Sequence, residues 1–424
     1  MGSEAGAACR RSPRWGRGRE PGGDRSRRRF VGLLGGAAAA SVLAGCGDGG
    51  TADGADTLET PRAAPPGKPS PSASTGASVG STGPRPLYLG TYTSAEGGGK
   101  GIGVASYDPA SGRITGRGTV TGVPDPSYLA VHPDGATLYA ANERERGSVT
   151  AVRLSDAKVL GSRPTGGAHT CHVSVHPGGK WLLSADYGSG SVAVHPIDGS
   201  GALGERTDSV THRRPAPRAG QKGPHAHQIV TSPDGGHVLA VDFGTDTVYS
   251  YRLDDRAGTL TEVGQAHTRA GAGPRHLAFH PGGRYAYLAD EADDTIVVCG
   301  YEPSSGRLTI GRPQSTGAKA ATNYPAQPVV TPDGAYVFLA NRGDNTLARY
   351  AVEADGARLR LLGTVPVEGD FPRQIALSPD GALLFAANQR SGTVTVFRVD
   401  GASGALRLAD EPYASPVAVC ALPL

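Results

Sequence analysis

Apolar residues in this chain come in short runs, each broken by a turn, and the runs recur. Tyr128-Leu-Ala-Val-His-Pro is a run that suits a buried strand, and Gly392-Thr-Val-Thr-Val-Phe-Arg-Val alternates as a half-buried strand does. Six times one unit is repeated: an apolar strand, then Pro-Asp-Gly or Pro-Gly-Gly, then a second apolar strand ending in Asn or Asp. The turn prolines are Pro133, Pro177, Pro233, Pro281, Pro332 and Pro379. Nine residues after each stands Asn142, Asp186, Asp242, Asp290, Asn341 or Asn388. Six residues before each stands Ser127, Cys171, His227, Arg275, Ala326 or Arg373. The register never slips, so each repeat is one structural unit.

The prolines lie 44, 56, 48, 51 and 47 residues apart. That is the period of a four-stranded β-propeller blade and too long for the shorter helical solenoid repeats. With 64 Gly, 33 Pro and no long amphipathic run, the chain reads as all-β with many tight turns. A further blade is divided between the ends. Leu87-Tyr-Leu-Gly-Thr-Tyr92 resembles the second strand of each repeat, and Ser415-Pro-Val-Ala-Val419 resembles the first. The expected architecture is therefore a seven-bladed β-propeller of four-stranded antiparallel blades, one of them closed by strands from both termini. Such a ring has no open sheet edge.

Residues 1–85 do not share this pattern. Ser26-Arg-Arg-Arg-Phe-Val31 reads as a twin-arginine export signal, and the apolar stretch that follows ends in Leu43-Ala-Gly-Cys46, which resembles a lipoprotein cleavage box. The expectation is a signal over residues 1–46, lipidation at Cys46, a Gly/Ala/Ser/Thr/Pro tether over 47–85 and the propeller over 86–424. The protein would then sit on the outer face of the cell membrane, held by a lipid anchor. The leader also changes the charge. The chain carries +3 overall, but residues 1–45 hold nine Arg and three acids, and the rest has 33 basic against 36 acidic residues. Nothing in that balance suggests nucleic acid. Cys171, Cys299 and Cys420 are odd in number and lack metal-type spacing, so neither a disulfide framework nor a metal site is expected.

In each repeat the two strands flanking the turn run antiparallel. The start of the first and the end of the second therefore share one face of the ring, where a ligand pocket is expected at the mouth of the channel. The converging positions hold Ser127, Cys171, His227, Arg275, Ala326 and Arg373. Beside them stand Tyr128, His172, Gln228, His276, Gln327 and Gln374, then Glu143, Tyr187, Phe243, Glu291, Arg342 and Gln389, with Tyr92 from the divided blade. These differ from repeat to repeat and are free to serve a site. The recurring Asn or Asp is instead read as a strand-end residue that bonds the turning backbone. His132, His176 and His280 are read as turn residues on the opposite face. The connection from Asp198 to Gly223, with His212, Arg213, Arg214 and Arg218, reads as a solvated loop.

The third and fourth repeats are richest in chemistry. Pro224-His-Ala-His-Gln228 opens one, Gly273-Pro-Arg-His276 opens the next, and Asp290-Glu291 closes its second strand. Histidine suits proton transfer near neutral pH, and arginine suits a carboxylate or a developing oxyanion. The catalytic candidates are His227, Arg275 and Glu291. His225, Arg342, Arg373, Glu143, Gln389 and His172 are candidates for binding substrate. These residues equally suit a pocket that binds an anion without turnover. No nucleophile elbow or phosphate-binding loop is present, and His225 with His227 is too little for a metal.

The segments Tyr88-Leu-Gly-Thr-Tyr-Thr93, Pro126-Ser-Tyr-Leu-Ala-Val-His-Pro-Asp-Gly135, Pro224-His-Ala-His227, Gly273-Pro-Arg-His-Leu-Ala-Phe-His-Pro281 and Ala340-Asn-Arg342 resemble the seven-bladed propeller lactonase family. That family includes a bacterial type of 6-phosphogluconolactonase and the carboxy-cis,cis-muconate lactonizing enzyme. The resemblance implies a cofactor-free hydrolase or cyclase acting on a small lactone or organic acid. It places the family's His, Arg and Glu on His227, Arg275 and Glu291, with a further Arg at Arg342 or Arg373. In that reading Glu291 assists His227, which activates water. Two other readings stand beside it: a non-enzymatic surface propeller that binds an anionic ligand or a protein, and a calcium-dependent gluconolactonase-like propeller.

Overall fold

A computed structural model describes residues 83–213 and 223–424. The expected export signal, lipidated Cys46 and most of the tether lie outside the described residues. What is described is a ring of seven antiparallel sheets. Blade one comprises the strands Pro126–Val131, Thr137–Asn142, Ser148–Arg153 and Lys158–Pro164. Blades two to six repeat that plan and start at Thr170, Ala226, Pro274, Tyr324 and Pro372. Blade seven is the divided one. Its innermost strand, Ala418–Pro423, pairs with Arg85–Thr91, which leads out to Gly101–Tyr107 and Ile114–Thr121. One departure from four strands occurs in blade six, where the short Tyr413–Ala414 also pairs with Thr393–Val399.

The hydrophobic core is divided into seven clusters, each lying between two neighbouring blades. This explains why the second strand of a repeat reads as a nearly unbroken apolar run. Alternate side chains of a strand point to opposite faces, and here both faces are covered. In Val238–Asp242 of blade three, Val238 and Ala240 pack toward blade two while Leu239 and Val241 pack toward blade four. The ring closes on the same terms: Leu87, Leu89 and Tyr107 of blade seven pack with Leu383, Phe385 and Val394 of blade six. Truncating a fully buried ring such as Phe385 to alanine would cost about 3–5 kcal/mol.

The Pro-x-Gly turns lie at the end away from the mouth and are nearly identical. Gly135, Gly179, Gly235, Gly283, Gly334 and Gly381 all have φ between 70° and 74°, which glycine adopts without strain. Two of the turn histidines also join blades. His132 Nε2 lies 2.8 Å from Gly179 O and His176 Nε2 3.3 Å from Gly235 O, each in the next blade's turn.

Candidate active site

Every innermost strand carries a register shift near its start. In blade three, Ala226 pairs with Asp242 and Gln228 with Val241, so His227 is the extra residue. The same shift singles out Ser127, Cys171, Arg275 and Arg373, and in the divided blade Val419. In blade five Ala326 and Gln327 together stand opposite Ala340, again one residue in excess. A β-bulge bends its strand and re-aims the extra side chain, and here it turns six of these residues into the channel. Ser127, Cys171, His227, Arg275, Arg373 and Val419 line one narrow cavity of about 10 Å³, about the room of a single water. The recurring Asn or Asp pairs with the residue just before each bulge, as Asn142 does with Pro126, and is fully buried in five of the six complete repeats. Asn142 donates to Pro124 O at 2.7 Å and accepts from Thr150 at 2.6 Å. Asp186 accepts from Thr165 and Thr170 at 2.8 and 2.6 Å. Polar side chains thus hold the bend, and the bend presents the site.

Two carboxylates stand at the mouth, each held by arginine. Glu291 Oε2 lies 3.0 Å from Arg275 Nε and also accepts from Arg342 Nη2. Arg275 is anchored in turn by donating to Ala326 O in blade five at 2.9 Å, and Arg342 donates from Nε to Tyr324 O at 3.1 Å. A second unit lies across the ring. Glu143 Oε2 accepts from Arg373 Nη2 at 3.2 Å and from the Tyr92 hydroxyl at 2.8 Å, with the Arg373 guanidinium 5.4 Å from the Tyr92 ring centre. The guanidiniums are mostly buried, while the glutamates keep about a fifth of their side-chain surface open.

His227 and His225 both pack on Tyr187. His225 stacks on that ring at 4.5 Å, and its Nδ1 lies 2.8 Å from Tyr187 O; His227 meets it edge-on at 5.6 Å. The Nδ1 atom of His227 is buried without a hydrogen-bond partner. Deeper in the channel, His276 lies 5.0 Å from His227 and 5.4 Å from His172, and Tyr128 lies 4.2 Å from His172.

The electrostatics follow from burial. Burial first, and then Arg275, Arg373 and Arg342, hold His227 well below the usual imidazole range, so it is neutral. Burial together with Arg275 also lowers His172, to about 3. For Glu291 burial works to raise the pKa, but Arg342 and Arg275 outweigh it and the group stays ionised. Asp290 lacks such partners: burial and the neighbouring Asp293 and Asp246 raise its pKa to about 8. At neutral pH it is protonated, which makes it an analogue of the asparagines at the same place in blades one, five and six.

The structure therefore brings His227, Arg275, Glu291, Arg342, Arg373 and Glu143 to one mouth, with His225 beside them. Glu291 is held by two arginines, however, and no hydrogen bond joins it to His227, so the expected assistance is absent among the described residues. His172 lies below the mouth and accepts the Ile229 N–H at 3.4 Å, which ties blade two to blade three. Gln228 and Gln374, at the same register, tie their blades to Leu277 and Ala421. Gln389 is half-buried, and its Oε1 has no partner. Cys171 is buried, and burial raises its thiol pKa. Among the described residues, no group of three His, Cys, Asp or Glu is placed to hold a metal ion.

The connection before His225 differs from expectation. Asp208–Thr211 is the outer strand of blade two, and His212 is buried rather than solvated. Its Nδ1 lies 2.6 Å from Asp242 Oδ2, and its ring stacks on Tyr249 at 3.8 Å. Asp242 Oδ1 accepts the His225 N–H at 2.9 Å. One carboxylate thus fixes the entrance of the strand that carries His225 and His227. No sequence signal marked His212, because only folding places it beside Asp242.

Residues 86–423 match the model of the lactonase family described as a 7-bladed β-propeller. The chain belongs to this family. It is 32% identical over 291 residues to the 6-phosphogluconolactonase of Bacillus subtilis, an alignment that covers 67% of this chain and 82% of that one. Among solved structures it resembles a Lactobacillus plantarum protein with TM-score 0.75 and 33% identity, over 80% of this chain and 99% of that one. It also resembles the periplasmic gluconolactonase of Pseudomonas aeruginosa, with TM-score 0.74 and 28% identity, over 81% and 99% of the two chains. For this lactonase-family chain, then, the mouth that carries the arginine-held glutamates is the candidate site.

Proposed function

We propose that this protein hydrolyses a small lactone, of the sugar-acid type, at the mouth built by Arg275, Glu291, Arg342, Arg373, Glu143 and His227. The observation that carries the reading is the pair of glutamates at the mouth, each with one oxygen on arginine and part of its side chain open. In the reaction a water oxygen forms a bond to the lactone carbonyl carbon, and the water proton passes to a base. The carbonyl oxygen becomes an oxyanion beside a guanidinium. The ring C–O bond then breaks, and the leaving alkoxide takes the proton.

Glu291 is the better base. An imidazolium at His227 would be buried among three guanidiniums, whereas Glu291 is already ionised and keeps about a fifth of its side chain open, and when it takes a proton Arg275 and Arg342 keep their bonds to Ala326 O and Tyr324 O. His227 then serves as a neutral hydrogen-bonding group, a reversal of the roles expected from the sequence. Arg275 is the oxyanion donor, because its anchor on Ala326 O fixes its direction before substrate arrives.

The export signal and the Cys46 anchor complete the reading. An extracytoplasmic lactonase is consistent with the likeness to a periplasmic gluconolactonase. Purified protein is to be assayed on a panel of sugar-acid lactones by acid release, beside Arg275→Ala and Glu291→Gln. Turnover that both variants retain would move the reaction elsewhere, and tight ligand binding without turnover would mark a binding propeller. For the anchor, Cys46→Ala is expected to shift the protein from the membrane fraction to the soluble one, and unchanged fractionation rejects lipidation.

A further inference from the structure

Polar atoms buried in a protein almost always have a hydrogen-bond partner. Beneath the mouth three neighbouring side chains break that rule. Ser127 Oγ, His227 Nδ1 and both ring nitrogens of His276 are buried with no partner among the described residues. The three residues come from blades one, three and four, and are 2%, 6% and 2% exposed. All three line the narrow cavity of about 10 Å³. A hydroxyl or imidazole sealed in this way bears its full desolvation cost unless something in the cavity meets it.

The other polar groups of the cavity wall are committed elsewhere. Tyr128 donates to Gln327 Oε1 at 3.5 Å, and both amide atoms of Gln374 bond the backbone of Ala421. The Cys171 thiol lies 3.7 and 3.5 Å from the carbonyl oxygens of Ala226 and His227. Arg275 is taken by Ala326 O and Glu291, and Arg373 by Glu143. Room for one water and unpaired polar atoms therefore coincide, and a buried water makes two to four hydrogen bonds. Both imidazoles are neutral: burial first, and then Arg275 in each case, hold His227 and His276 well below the usual range. Each neutral ring has one N–H and one lone pair, and the partner decides which nitrogen carries which. Two guanidiniums line the cavity and no carboxylate does. A lone pair faces such a wall better than an N–H does. Nδ1 of His227 is therefore the acceptor, and Nε2, across the ring, carries the proton.

We propose that Ser127 and His276 hold one water against His227 Nδ1, and that Ser127 is thereby a positioning residue, fixing the tautomer in which His227 offers a donor, Nε2–H, to the substrate. The water gives one hydrogen to His227 Nδ1 and the other to the lone pair of His276, and it accepts the Ser127 hydroxyl. At the mouth an Nε2–H can donate to a lactone oxygen, which an unprotonated Nε2 cannot. The use of that donor rests on the lactonase reading, whereas the tautomer itself is observed without turnover.

The test is nitrogen NMR of the full-length protein, isotope-labelled at its histidine ring nitrogens, with His227→Gln assigning the signals of His227. In the wild type that ring is expected to carry its proton on Nε2. Ser127→Ala and His276→Phe each remove one of the partners of the water and are expected to populate the Nδ1–H form. Ser127→Ala is also expected to lower kcat about tenfold with KM little changed, the size of one lost hydrogen bond. Ser127→Thr keeps the hydroxyl and is expected to restore both the tautomer and kcat. A proton on Nδ1 in the wild type, or an Nε2–H form that Ser127→Ala leaves whole, overturns the proposal, whatever the variant does to the melting temperature. Failure of the lactonase reading is separate: the tautomer would shift in the variants while the wild type turned over no lactone.

Discussion

The two ends of each blade obey different rules. At the turn end, six glycines share one φ, and a His, Ser or Thr beside each turn bonds the backbone or the side chain of that turn or the next. At the mouth end the backbone device repeats just as faithfully, since every blade has its bulge, but the residue on it does not. Serine, cysteine, histidine, arginine and valine all occur there. Repetition of a backbone shape with freedom of side chain is what a site needs: the scaffold holds position while chemistry varies. Changes at the mouth should therefore alter activity far more than stability, and changes at the turns the reverse.

The largest expected effect is at Arg275. Arg275→Ala removes a buried guanidinium aimed at the reacting oxygen, and kcat/KM is expected to fall about a thousandfold. Arg275→Lys should recover little, since a lysine cannot hold Glu291 and Ala326 O with one fork. A loss below tenfold, in protein whose melting curve is unchanged, would remove Arg275 from the reaction. Glu291→Gln comes next, at about a hundredfold in kcat. The pH profile sharpens it. Arg342 and Arg275 hold Glu291 below its ordinary range, so wild-type activity should persist in mild acid and fall only as pH drops through that depressed pKa. The glutamine variant should lack that fall. If it keeps the fall and His227→Gln loses it, the base is His227.

Asp290 tests the boundary between the two ends, because it pairs with Pro274 just before a bulge and precedes Glu291. Its folded pKa, about 8, is raised above the ordinary carboxylate value. The folded form therefore binds the proton more tightly, and stability is lost as pH rises from about 4 to about 8, at up to about 1.4 kcal/mol per pH unit. Asp290→Asn supplies the neutral side chain permanently. It should melt higher than the wild type at pH 9 and nearly level with it at pH 4. A parallel offset at both pH values would show that Asp290 is ionised throughout.

Much of this was legible before any coordinates. The Pro-x-Gly register counts the blades, and the divided blade follows from Leu87–Tyr92 and Ser415–Val419. His227, Arg275 and Arg373 stand out because their place in the repeat is otherwise filled by small residues. What was not legible is the bulge, since an extra residue leaves no mark on an apolar strand pattern. Without it, positions five before each proline seemed equal partners at the mouth, when His172, Gln228 and Gln374 in fact tie neighbouring blades. Partner choice was equally hidden. Glu291 lies sixteen residues from Arg275 and fifty-one from Arg342, and only ring closure decides that arginine rather than His227 reaches it.

The smallest effect is the cleanest check on the comparison. Gly235 has φ 73°, and a Cβ added there would meet nothing within 4 Å. Gly235→Ala therefore costs only the left-handed backbone, about 1 kcal/mol, or about 2 °C in melting temperature. Gly334 has the same φ, but there a Cβ would fall 2.4 Å from His280 Nε2. Gly334→Ala must displace that imidazole as well and should melt lower than Gly235→Ala. Neither should change kcat/KM, because both turns lie at the far end of the strands from the arginines. A drop in kcat/KM for Gly235→Ala at full occupancy of the folded state would mean that strain crosses the blade from turn to mouth, and the two ends could not be treated as separate.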